Sequence, residues 1–243
     1  LFRSFDYEEA KQGMRQILWG LFKKIVIADT LSGYVDQIFA NYQVLPGSTL
    51  LLGAIYFAVQ IYCDFSGYSS IAIGTAHLFG FTLMKNFNYP YFSKSVAEFW
   101  RNWHISLSTW FRDYVYIPLG GSRGTLGRVI LNTLIVFALS GFWHGANWTF
   151  IVWGLLNGLF IIPTLILSKN KKAESSSFII ETLQIGFTFF LITITWIFFR
   201  SQNIGQAVIY FKILFSKSLF TYPVQHGMAI TLPLILILFV IEW

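Results

Sequence analysis

The strongest constraint on this chain is the stretch from Val129 to Leu167, thirty-nine predominantly apolar residues interrupted at His144-Gly145-Ala146-Asn147. About 20 apolar residues cross roughly 30 Å of hydrocarbon as a helix, so this length predicts two packed segments with a bend between them. The bend is expected at Phe142-Trp143-His144-Gly145-Ala146-Asn147-Trp148. Polar titratable groups are costly at such depth, by about 2.5 kcal/mol or more for a charge at a helix centre. Imidazole can stay neutral there and still take or give a proton near neutral pH, which makes His144 a candidate base. By position alone, a lone histidine in an apolar segment is more often a hydrogen-bonded packing residue than a base.

Composition places the rest of the chain in the same setting. Hydrophobic residues make up 55% of 243 and charged residues 12%, a balance that predicts a membrane protein. The net charge of +6 sits in short Lys/Arg clusters between apolar runs rather than along one face, so nucleic acid is not an expected partner. The single Cys63 rules out an internal disulfide framework, and neither CxxC nor HExxH is present to suggest a metal site. The chain begins at Leu1 without a signal-peptide pattern and stops within the short apolar run Ala229 to Trp243, so helices beyond both ends are expected.

The expected organisation is all-α: a polytopic transmembrane protein with interfacial and re-entrant helices, forming one domain over residues 1–243. Ser4 and Asp6 are candidate caps for a helix starting near Tyr7. Ile17 to Leu31 is broken by Lys23-Lys24, as in a helix whose lysines snorkel, or one lying at the surface. Thr49 to Phe81 predicts a full span, a break near Asp64-Phe65-Ser66-Gly67, and a second segment. Residues 82–94 form an aromatic, basic loop, and Phe178 to Phe199 is a further span. Residues 201–227 are expected to be interfacial or loop. Gly141 to Gly145 and Gly154 to Gly158 each match GxxxG, which ordinarily means close helix packing.

Residues 98–114 predict one amphipathic helix. Phe99, Trp100, Trp103, Leu107, Trp110, Phe111 and Tyr114 share one face, with Glu98, Arg101, His104, Ser108 and Arg112 on the other. Pro118, Gly120 and Gly121 end it. Lys169, Lys171 and Lys172 predict a cytoplasmic loop, which puts His144 deep or toward the outside and the Arg101 to Arg128 region on the cytoplasmic side. His104 and His144 would then enter one site from opposite directions.

The run Phe99-Trp100-Arg101-Asn102-Trp103-His104-Ile105-Ser106-Leu107-Ser108-Thr109-Trp110-Phe111-Arg112-Asp113-Tyr114, continuing to Gly121 and followed by Gly141-Phe142-Trp143-His144-Gly145, resembles the membrane-bound O-acyltransferase family. Gly20 to Asp29 and Tyr62 to Ser69 resemble the same branch, that of bacterial alginate O-acetyltransferases and the D-alanine transfer proteins of teichoic acid modification. The resemblance covers about residues 1–210.

It implies helices around a tunnel in the bacterial cytoplasmic membrane. A cytoplasmic thioester, acetyl-CoA or an acylated carrier protein, would supply the acyl group with no bound cofactor. The acceptor would be an extracytoplasmic polysaccharide, reached directly or through a periplasmic or surface acetyltransferase partner. The resemblance also implies that His144 is the catalytic histidine and His104 a second site residue.

Acyl transfer from a thioester to a hydroxyl needs a base and donors for the developing oxyanion. Asn147, Trp143 and Trp148 are candidate donors, Ser108 and Arg112 candidate donor-binding residues, and Asp64 either a substrate group or a helix cap. No GxSxG elbow surrounds Ser108 or Ser140, so a covalent acyl-enzyme is not expected. D-alanyl transfer to teichoic acid is an alternative activity, and a non-catalytic transport or scaffold protein for polysaccharide or lipid is the alternative class. His77 and His226 carry no supporting pattern.

Overall fold

A computed structural model describes residues 6–167, 177–224 and 227–242. Ser4, His226 and the lysines of the 168–177 loop lie outside the described residues. The helices are α1 (Tyr7–Leu21), α2 (Asp29–Ala40), α3 (Gly47–Leu78), α4 (Val96–Asn102), α5 (Ile105–Phe111), α6 (Leu126–Trp143), α7 (Trp148–Leu167), α8 (Phe178–Arg200), α9 (Ile204–Leu214) and α10 (Met228–Glu242). Among the described residues there is no β-sheet, only an isolated antiparallel bridge between Phe87 and Trp103. Four helices, α3, α6, α7 and α8, are long and apolar enough to cross a membrane. The protein is an all-helical membrane protein.

The chain folds as two compact units, the first built from residues 1–86 and 213–243, the second from 87–212. In the first, Asp6 caps α1 as expected, its carboxylate accepting from the backbone N–H of Glu8 at 2.8 Å and of Glu9 at 3.1 Å. A π-helical segment, Phe22–Ala28, joins α1 to α2 without a break.

Two expectations fail in this unit. The stretch around Asp64 does not interrupt a span: α3 is one helix of 32 residues that runs straight through it. Gly67 lies in that helix because α1 approaches too closely for a side chain. A methyl built on Gly20 would stand 2.6 Å from the Gly67 carbonyl oxygen, and one on Gly13 would stand 2.7 Å from the Gly74 carbonyl oxygen. Small residues here let two backbones touch. Lys23 does not snorkel either. It is buried at 4% exposure, its ammonium 3.8 Å from a carboxylate oxygen of Glu242, which also accepts from the Tyr62 hydroxyl at 2.6 Å. The π-helical winding sets successive side chains on altered bearings from an α-helix, and Lys23 turns inward while Lys24 pairs with Asp29 and Asp64.

In the second unit, α6 and α7 form a hairpin across the expected bend. Gly154 lies against the Phe137 carbonyl and Gly141 against Phe150, so backbone meets backbone along the pair. The segment 201–227 contains the helix Ile204–Leu214, so it is not loop throughout. Asn203 starts it, its side-chain oxygen accepting from the Gln206 N–H at 2.9 Å.

The expected single helix over 98–114 is two helices, parted at Trp103-His104. The cause is tertiary. The Asn88 N–H donates to the Asn102 carbonyl at 3.0 Å, and this bridge draws Trp103 into extended backbone. Trp103 then packs edge-on to Phe87 at 5.0 Å and stacks on Phe99 at 5.4 Å, so aromatic burial replaces the helical hydrogen bonds given up. Trp110 and Tyr114, assigned to the apolar face, are 50% and 68% exposed.

Candidate active site

His104 occupies the break itself, in the left-handed region at φ 45°, ψ 55°. That conformation is uncommon for a residue with a Cβ and costs about 1–3 kcal/mol, and such residues cluster at functional sites. Its carbonyl accepts the Ser108 N–H at 3.0 Å, and the Ser108 hydroxyl donates to the Trp103 carbonyl at 3.1 Å. Ser108 thus stitches the two helices together across the strained residue.

His144 ends α6. The turn that follows is held by hydrogen bonds from His144 N–H to the Gly141 carbonyl (3.1 Å) and from Gly145 N–H to the Phe142 carbonyl (3.2 Å), with Gly145 at a positive φ of 149°. Gly145 therefore serves the bend rather than a helical GxxxG pair. Asn147 caps α7: its amide oxygen accepts the Thr149 N–H at 3.1 Å, and its NH₂ donates to the Gln202 carbonyl at 2.8 Å. Both ends of the Asn147 amide are engaged in holding the turn.

Aromatic rings surround the His144 imidazole. Trp143, Trp153 and Phe199 meet it edge to face at centroid distances of 4.9, 5.1 and 5.0 Å. Trp143 is also 6.3 Å from His104, so the two histidines share one tryptophan. Burial lowers the pKa of each histidine to about 4, and for His144 the neighbouring His104 adds to the effect. Near neutral pH both imidazoles are uncharged and able to accept a proton.

The other candidates divide. Trp143 and Ser108 belong to this cluster, while Trp148 is 72% exposed. Arg112 is exposed and ion-paired with its neighbour Asp113 at 2.7 Å. Asp64 lies in the first unit, on α3, where it pairs with Lys24. Trp153 and Asn157 were not singled out by sequence reasoning. Asn157 is fully buried, accepts the Trp100 indole N–H at 3.1 Å and donates to the Trp153 carbonyl at 2.8 Å, tying α4 to α7. The available signal was spacing: Thr149, Trp153 and Asn157 recur every four residues on one stripe of an otherwise apolar helix.

Known proteins resemble this chain over two thirds or more of its length. The chain is 41% identical over 214 residues to the probable alginate O-acetylase AlgI of Azotobacter vinelandii, covering 88% of this chain and 42% of that protein. It is 38% identical over 204 residues to the peptidoglycan O-acetyltransferase of Helicobacter pylori, 84% of this chain and 38% of that protein. The teichoic acid D-alanyltransferase of Streptococcus thermophilus is 30% identical over 177 residues, 67% of this chain and 42% of that protein. The chain thus spans about two fifths of the length of the relatives it matches. The family description of the MBOAT proteins matches residues 3–201, a range that holds both histidines and every residue of their aromatic surround, and the chain belongs to the membrane-bound O-acyltransferase family.

Proposed function

We propose that the chain carries the catalytic histidines of an O-acyltransferase of the bacterial cytoplasmic membrane, a multi-pass protein in which residues 1–243 are part of one functional domain. It moves an acetyl group from a cytoplasmic thioester, acetyl-CoA or an acylated carrier protein, to a hydroxyl of an extracytoplasmic polysaccharide, directly or through a surface acetyltransferase partner. The observation that carries this reading is the His144 ring, flanked by aromatic side chains and sharing Trp143 with the strained His104. The greater identity to O-acetylating relatives than to a D-alanyltransferase, 41% against 30%, favours acetyl over D-alanyl transfer.

In the proposed reaction His144 takes the acceptor hydroxyl proton as that oxygen attacks the thioester carbonyl carbon. The C–O bond forms, the C–S bond breaks, and the imidazolium returns the proton to the departing thiolate. A low histidine pKa suits the second half of this exchange, because the imidazolium gives up its proton readily. His104 orients the reactants from the strained break, with Trp143 and Ser108 as its neighbours, and Asn147 holds the turn that carries His144. No chemical step is assigned to Arg112 or Asp64, whose charges are already paired.

The test is His144→Ala in the full-length protein. Loss of the general base predicts a fall of about 10²–10⁴ in thiol release and in polymer acetylation, with membrane abundance unchanged. Undiminished transfer by that variant would refute the assignment.

A further inference from the structure

Trp153 is 1% exposed, and its indole N–H is buried without a hydrogen-bond partner among the described residues. An unpaired buried donor costs about 1–3 kcal/mol, and native structures keep few of them. The contrast with Trp100 is local, since the Trp100 indole packs 5.5 Å from Trp153 yet donates to Asn157. Thr149, one turn before Trp153 on the same stripe of α7, is fully buried and its hydroxyl is likewise unpartnered. The helix therefore presents two unused donors four residues apart. One of them belongs to a ring that meets His144 at 5.1 Å and 87°.

We infer that the Trp153 N–H, assisted by the Thr149 hydroxyl, receives the carbonyl oxygen of the acyl thioester, placing the carbonyl carbon beside His144. The inference rests on the proposed acyl transfer. As the acceptor oxygen bonds to that carbon, the carbonyl oxygen gains negative charge, and a fixed donor shielded from water is worth more to it than the same donor in solution. When the C–S bond breaks, the charge leaves with the thiolate and the Trp153 N–H is unchanged. A donor with no partner in the protein alone is what such a site requires, because any resident acceptor would compete with the thioester.

The experiment uses full-length protein in lipid nanodiscs and acetyl-pantetheine labelled with ¹³C at the carbonyl, the portion common to acetyl-CoA and an acylated carrier. Without acceptor, the bound thioester carbonyl stretch is expected at lower frequency than in solution. That shift should be lost in Trp153→Phe, and also when Trp153 is replaced by benzothienylalanine, which keeps the ring shape and removes only the N–H. With acceptor, both variants should lose about a hundredfold in kcat while KM for the thioester changes little. A purely structural role would not move the carbonyl band. No bound band, equal frequencies in wild type and isostere, or an unchanged kcat in the isostere overturns the inference. Activity of His144→Ala separately judges the reading on which it rests, and the carbonyl band is read without turnover.

Discussion

The two units treat their central titratable groups in opposite ways. In the first, charge is kept and matched: Lys23 is buried against Glu242 and Tyr62, and Lys24 bridges Asp29 and Asp64. In the second, the central titratable groups are neutral imidazoles among aromatic rings. Matched charges are satisfied and have nothing left to offer a substrate. Neutral, loosely engaged groups hold their hydrogen-bonding and proton-accepting capacity in reserve, and this is why the chemistry is assigned to the second unit.

The sharpest way to break this comparison is to unmatch the first unit. Lys23→Met leaves Glu242 buried without its cation, and removing one partner of a buried pair costs about 3–5 kcal/mol. Thermal unfolding in detergent should show that loss, and adding Glu242→Gln should recover most of it. If Lys23→Met unfolds like wild type, the pair is not holding the unit together.

A smaller effect of opposite character is expected in the second unit. Gly adopts φ 45° without penalty, so His104→Gly should relieve strain and stabilise the fold by about 1 kcal/mol, while acyl transfer falls. Stability and activity moving together would remove the argument that the strain serves the site.

A third effect concerns pH. Both histidines titrate near 4 when folded, below the 6.5 of an ordinary imidazole, so between those values the unfolded chain binds more protons than the folded one. Their contribution therefore makes stability rise with pH across that window and leaves it flat above. Between pH 7 and 5 the transfer rate should show no loss from protonation of His144. A rate falling with an apparent pKa near 6.5, and absent from the His144 variant, would mean that the imidazole is far more hydrated than its aromatic surround implies.

Much of the helical order was legible in the residues. The cap at Asp6, the bend at His144 to Asn147 and the span from Phe178 follow from rules that act over a few neighbours. The misreadings share a cause. Asp64 to Gly67 looks like a break until α1 is seen pressed against it, and 98–114 looks like one helix until Phe87, from a distant loop, pairs with Trp103. The candidate site was legible to the same depth. Both histidines stood out by type and motif, whereas Trp153 is one of nine tryptophans and gains meaning only from its position against His144 and its unpartnered N–H.

The sequence by itself determined a helical membrane protein, its family motifs and the two histidines, because hydrophobic length and residue chemistry are local properties. Only the tertiary structure decided that Lys23 is buried rather than snorkelling, that His104 sits in a strained break, and which rings enclose His144. Those outcomes depend on contacts between residues far apart in the chain, where burial and close packing override the preferences of any single segment.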